Sequence, residues 1–242
     1  MAARREPGPL LPCVLLLAAL AGPVHAETPY DPLEPINRPV FVFNDFVDRY
    51  ALRPIADTYH TVVPAPAQRG VNNFFANLYD VTSAVNSVLQ WRWDGALRSS
   101  GRVLVNSTLG VVGLFDMATP MGLDRKRTDF GQTLTLWGVP EGPYLMLPLL
   151  GPRTFRSGTA TLVDTFLLSV PAHIPDDTVR WSLWGTELVN LRANVLEADT
   201  LMTGDRYIFV RDAYLQQRAA LVNDGALQDS FSNFEDTWEE EF

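Results

Sequence analysis

Between Phe130 and Pro152 the chain reads FGQTLTLWGVPEGPYLMLPLLGP, placing four Gly and four Pro among Leu, Trp, Tyr and Met. Pro removes a backbone donor and clashes inside a helix, and Gly weakens one, so no long regular helix passes through this segment. The spacing predicts a pair of short helices hinged at Gly138–Gly142. Such an apolar hinge needs cover, and it is natural where the chain dips into lipid or lines a passage. Similar breaks recur at VPAP (residues 63–66) and PAHIPDD (residues 171–177). Beyond the N-terminal leader no stretch reaches the roughly 20 apolar residues of a transmembrane helix. Membrane contact is therefore expected to be interfacial, or through short in-dipping helices.

Around these breaks the pattern is helical. Ile36, Val40, Phe43, Val47 and Tyr50 recur at helical spacing after Asn37, a residue able to cap, and Pro39, tolerated in a first turn. Phe41 and Phe46 lie off that stripe, so this helix is apolar around much of its circumference and is either buried or lipid-facing. Arg53-Pro54 is expected to end it. A second helix is predicted over Gly70–Gln90, its stripe made by Phe74 or Phe75, Leu78, Val81, Val85 and Val88. Asn72, Asn73, Asn77 and Asn86 are numerous for a helix, so their amides should bond neighbouring segments. Asp94 is expected to cap a helix over Gly95–Leu109, with Gly101 marking close approach of another backbone. Further helices are predicted over Arg153–Val170, where Asp164 interrupts the apolar side, over Val179–Leu201 and over Asp205–Val222. No convincing alternating strand and no internal repeat is found. The fold class is mainly α, one domain of amphipathic helices over residues 36–222, preceded by an extended arm at 27–35.

The first 26 residues read as a secretory signal: Arg4 and Arg5, an apolar VLLLAALA run, then Val24-His25-Ala26, with cleavage after Ala26. Removing them takes the net charge from −9 to −10. So acidic a chain is not a general nucleic-acid binder, which needs clustered Lys and Arg. The one cysteine, Cys13, lies inside the leader, which leaves the mature chain without thiol, disulfide or Cys metal ligand. That suits an oxidising periplasm. Residues 223–242 hold seven acidic residues and no basic one, the composition of a disordered tail.

Catalytic patterns are missing. Only His60 and His173 follow the leader, and there is no H-E-x-x-H, no G-x-S-x-G and no phosphate-cradling glycine motif. Asp176-Asp177 lacks the oxygen-ligand spacing of a calcium loop and reads as a helix N-cap. No metal, no cofactor and no enzymatic activity are expected.

Several blocks carry a resemblance: DPLEPINRPVFVFNDFVD, NNFFANLYDVTSAVNSVLQ, VNSTLGVVGLFDMA, DFGQTLTLWGVPEGPYLMLPLLGP and DRYIFVRDAYLQQR. In this order they are similar to the MlaA (VacJ) family across roughly residues 31–220. The resemblance implies a ring-like helical bundle embedded in one leaflet of the outer membrane of Gram-negative bacteria. It implies a central amphipathic channel for phospholipids that have strayed into the outer leaflet. These would pass to a periplasmic carrier, MlaC, while trimeric porins hold the ring, so that lipid asymmetry is kept. Phe43 and Asn44 match early-helix residues of the family's channel. Within the Gly- and Pro-rich segment, Phe130, Gly138, Gly142, Tyr144 and Pro148 are gating candidates; Asp164 is a further channel candidate. Phe41 and Phe46 are expected to face lipid. The family is commonly lipidated at a cysteine directly after the signal, whereas Cys13 precedes the apolar run, so ordinary cleavage is expected.

The physics of such a job is coherent, since a charged headgroup crossing hydrocarbon needs a polar path. Rival readings are a porin-binding adaptor of the outer membrane and a periplasmic lipid hydrolase.

Overall fold

The computed structural model describes residues 31–222, and within them it is mainly helical. The leader with its Ala26 cleavage point, residues 27–30 of the arm and the acidic tail lie outside the described residues; the rest of the expected extended arm is a turn that enters a helix at Glu34. Helix α1 spans Glu34–Val47. A π-helical turn, Asp48–Leu52, carries it into α2, Arg53–Val62. Arg53-Pro54 thus does not end the helix. Pro54 follows directly on the π-helical turn, which widens the helix just ahead of the N–H that Pro lacks. Asn37 is not a cap either; it is buried inside α1.

Helix α3, Ala65–Leu89, and α4, Trp93–Thr108, form a packed helical hairpin. Helix α5, Phe130–Leu136, is capped by Asp129, whose carboxylate accepts from the Gln132 N–H at 2.8 Å. The expected second short helix is replaced by a β-hairpin. Strand β1, Tyr144–Leu147, pairs antiparallel with β2, Gly151–Thr154, Tyr144 opposite Thr154. Helix α6, Phe155–Val163, starts with a Thr154–Ser157 capping box. It runs into a second π-helical turn, Asp164–Leu168, so the predicted helix over Arg153–Val170 begins later and ends in a wider turn. Helix α7 spans Asp177–Ala193 and α8 Arg206–Val222. Asp176 caps α7 through the Val179 N–H at 3.0 Å.

Two glycines explain why a hinge expected between helices becomes the entrance to a hairpin. Gly138 and Gly142 both have positive φ, 82° and 72°, a region open to Gly without steric cost. A Cβ on Gly142 would also lie 2.8 Å from Phe155 Cβ. Along β1, Tyr144 and Met146 are buried while Leu145 and Leu147 are half-buried, which is the two-residue period of a strand. Two asparagines of α1, two helical turns apart, grip this hairpin. Asn37 donates to the Tyr144 carbonyl at 3.0 Å and accepts from the Met146 N–H at 2.9 Å. Asn44 donates to the Leu147 carbonyl and accepts from the Leu149 N–H, each at 2.9 Å. Each amide thereby acts as a strand residue facing the edge of β1.

Within residues 32–222, packing runs in a closed circuit: α1 on β1, β2 on α6, α6 on α5, α5 on α3, α3 on α7, α7 on α2. A small apolar core joins α1, the hairpin and α8. Buried Tyr144, Met146 and Tyr207 sit there against Val40 and Phe41. Elsewhere the burial is inverted. Helix α3 buries Asn77, Asp80, Thr82, Ser83, Asn86 and Ser87, while Val85 and Val88 of its predicted apolar stripe are exposed. Helix α4 buries Ser99, Arg102 and Asn106 and exposes Trp93, Leu97 and Leu104. Gly101 faces the Leu123 side chain, 3.4 Å from where its Cβ would be, rather than another backbone.

Candidate functional site

The polar interior is built from stripes at helical spacing. Arg102, 1% exposed, donates from Nε to Asp80 at 3.0 Å and from Nη2 to both Asp116 oxygens at 3.2 Å. Its Nη1 reaches Thr119 at 3.0 Å and also the Leu123 carbonyl. Asn106 accepts from the Met117 and Ala118 N–H groups, each at 2.9 Å. Burial would push the Asp116 carboxyl up, but bonds from the Thr119 hydroxyl and N–H and from Arg102 outweigh it and hold the pKa at about 2. Breaking one partner of such a buried set leaves an uncompensated charge.

The α3 asparagines do bond neighbouring segments. Asn72 accepts from Asn190 at 2.8 Å and from Asn194 at 2.6 Å, which ties α3 to the end of α7. Asn73 reaches the Leu114 carbonyl at 3.1 Å, and Asn77 the Ser107 hydroxyl at 2.9 Å. Asn86 donates to Asp164 at 2.9 Å and accepts from the Thr133 hydroxyl at 3.0 Å.

A cavity of about 500 Å³ is bounded by α3, the loop before α5, α6 with its π turn, α7 and α8. Its wall is amphipathic. Phe75, Leu78, Leu150, Val170, Trp184 and Leu221 supply apolar surface, and three arginines face three acids: Arg127, Arg153 and Arg218 against Asp129, Asp164 and Glu187. Arg218 donates from Nη1 to Asp129 at 2.5 Å. Burial works against the Arg218 charge, yet the Asp129 carboxylate outweighs it and raises the pKa. Asp164 accepts from the Phe130 N–H at 2.9 Å and from Asn86. Burial nonetheless pushes its carboxyl up. Glu187, hydrogen-bonded by the Tyr79 hydroxyl, is also raised by burial, and Tyr79 is raised by burial and by the Glu187 charge. The Arg127 guanidinium lies 5.0 Å from the centre of the Tyr79 ring. This wall can meet both a polar, charged group and hydrocarbon, the surface an amphiphile requires.

Of the residues singled out from the sequence, Asp164 lines this cavity. Asn44 sits on the hairpin turn, and Tyr144 belongs to the apolar core. Phe130 packs edge-on against Trp137, with ring centres 5.8 Å apart. Gly138, Gly142 and Pro148 lie on exposed backbone around the hairpin. Phe43 is half exposed and Phe46 is 60% exposed, whereas Phe41 is turned inward, edge-on to Tyr207 at 5.7 Å. The cavity arginines and Glu187 were not anticipated from the sequence. Arg127 lies in a loop and Arg153 on β2, so no helical spacing marks them, while Arg218 and Glu187 sit on the charge-rich helices α8 and α7.

Outward, exposed apolar side chains cluster by element. Val111, Val112, Leu114 and Phe115 follow α4; Leu136, Trp137, Leu149 and Phe155 surround the hairpin; Phe166 and Leu167 lie in the second π turn and Trp181 on α7. Among the described residues no helix is long and apolar enough to cross a membrane. Neither His60 nor His173 lines the cavity, and both are exposed.

Comparison with known proteins places this arrangement. The family described as MlaA lipoprotein matches residues 29–221. An intermembrane phospholipid transport system lipoprotein MlaA of Escherichia coli is 36% identical over 206 residues, covering 82% of this chain and 80% of that protein. Its counterpart in Haemophilus influenzae is 32% identical over 215 residues, covering 85% and 84%. An uncharacterized protein of Rickettsia typhi is 35% identical over 196 residues, covering 80% and 78%. A solved structure from work on the maintenance of bacterial outer membrane lipid asymmetry matches with a TM-score of 0.69 and 35% identity, covering 80% of this chain and 99% of that one. With the family matched from before α1 to the end of α8, and relatives of above 30% identity aligned over most of both chains, this chain belongs to the MlaA family.

Proposed function

We propose that this protein moves phospholipids out of the outer leaflet of the outer membrane toward the periplasm, and so keeps that membrane asymmetric. The observation that carries this reading is the inverted distribution of polarity. Large apolar side chains point outward around a cavity walled by three arginines and three acids. A headgroup entering that cavity exchanges water for fixed charges while its acyl chains stay against Leu, Val and Trp, which lowers the cost of crossing hydrocarbon. The exposed apolar clusters suit residence in one leaflet. The proposed movement makes and breaks no bond.

A porin trimer at the apolar exterior and the periplasmic carrier MlaC as acceptor complete the reading. The carrier's affinity would set the direction of flow. Phe43, Asn44 and the segment from Phe130 through Gly138, Gly142, Tyr144 and Pro148 act by positioning the hairpin beside the passage rather than by touching the lipid head. Asp164 stands in the wall itself. Deleting the gene and measuring phospholipid on the cell surface tests the function. A rise in surface phospholipid, reversed by the intact gene, is expected; an unchanged surface would sink the reading.

A further inference from the structure

We propose that Arg218 forms a phosphate-recognition subsite in the cavity wall, presenting its Nε and Nη2 edge to the anionic phosphate of a lipid headgroup. The inference rests on the phospholipid-transport reading and names the residue that would read the headgroup.

Arg218 is 6% exposed and lines the cavity. Its Nη1 is taken by Asp129 at 2.5 Å, while Nε and Nη2 have no hydrogen-bond acceptor among the described residues. Buried donors of a charged group are almost always satisfied, so an open edge here calls for an acceptor from beyond the described residues. The Nε and Nη2 pair is the fork that binds two oxygens of a phosphate side by side. Of the acids that act on Arg218, Glu141 keeps a buried oxygen without a hydrogen bond but lies 3.8 Å from Arg156, and the acceptors of the wall are bonded elsewhere. Both Asp164 oxygens are occupied, by Asn86 and the Phe130 N–H. The Tyr214 hydroxyl pairs with Ser157 at 2.6 Å. Glu187 is engaged by Tyr79.

Room for the guanidinium is reserved by the backbone. A Cβ at Gly131 would lie 2.5 Å from Nη2. Other buried arginines with open donors differ: Arg125 faces Asp80 and Asp116 at 3.4 and 3.9 Å, and neither it nor Arg156, Arg192 or Arg211 lines the cavity.

The test uses the purified full chain in detergent micelles, with three probes: dioleoyl phosphatidylethanolamine, dioleoylglycerol, which has the same chains without phosphate, and inorganic phosphate. The wild type should bind the phospholipid about tenfold or more tighter than dioleoylglycerol, the scale of a charge-assisted bidentate contact. Arg218→Gln should reduce that preference to about twofold or less with dioleoylglycerol binding unchanged. Gly131→Ala, which keeps the charge but displaces Nη2, should reduce it too, and it carries the test if Arg218→Gln fails to fold. A preference retained in folded Arg218→Gln or Gly131→Ala protein overturns the subsite while leaving the transport reading standing. Arg218-dependent binding of inorganic phosphate without any lipid preference overturns the lipid source. A wild type that binds neither lipid overturns the transport reading itself.

Discussion

Asn44 and Leu147 are joined across the hairpin turn: the Asn44 amide donates to the Leu147 carbonyl at 2.9 Å and accepts from the Leu149 N–H at the same distance. Leu149 has a positive φ of 61° and is exposed, so the turn has little else to hold it. Asn44→Ala removes both bonds, a loss of about 1–3 kcal/mol in local stability. Hydrogen exchange at the Leu149 N–H should then speed up by roughly tenfold or more, with the α3–α4 hairpin unaffected. Unchanged exchange at Leu149 would show that the turn holds itself.

The Arg102 network predicts a second outcome. Asp80 and Arg102 side chains are each 1% exposed and 3.0 Å apart. Arg102→Met leaves the buried Asp80 carboxylate with only Arg125 among the described residues, 3.4 Å away, and unfolding in denaturant should show a loss of about 3 kcal/mol. Replacing Asp80 and Arg102 together with apolar residues of similar volume should cost less than the single change.

Acid stability follows from Asp116. Its folded pKa of about 2 lies below the ordinary carboxylate value of 3.8. A depressed acid stabilises the fold above its unfolded pKa, and that contribution fades as pH falls from near 4 to near 2. The loss is about 2 kcal/mol at most. Asp116→Asn should remove this step, so the melting temperatures of the two proteins should converge over that window. A constant offset across it would argue against the assigned pairing.

Phe41 and Phe46 separate cleanly. Phe41 packs on Tyr207 inside the small core, whereas Phe46 is 60% exposed. Phe41→Ser should lower stability by roughly 3–5 kcal/mol, as large-to-small core changes do. Phe46→Ser should leave unfolding unchanged and weaken binding to phospholipid vesicles roughly thirtyfold, from the roughly 2 kcal/mol scale of one buried apolar side chain. Equal vesicle binding would remove Phe46 from the membrane-facing surface.

Much of this molecule is legible along the chain. The helical periods, the breaks at Pro and Gly, the Asp176 cap and the family blocks are local or ordered signals, and each is visible without any fold. The hairpin was not legible, because Tyr144–Leu147 is a run of four apolar residues without alternation, too short to separate a strand from the end of a short helix. Nor was the direction in which each helix faces. A hydrophobic stripe on α3 marks a face, but sequence alone turns it toward the core by default, and here Val85 and Val88 face outward while Asn86 and Asp80 face in. That reversal arises from tertiary structure: Arg102 of α4 meets Asp80 of α3, and Asp164 after α6 meets Asn86. The sequence by itself determined where most helices run and break, though not at Arg53-Pro54 or beyond Gly142. Only the closed packing of those helices decided which charges share one cavity, because buried polar groups must find partners that lie on other elements, tens of residues away.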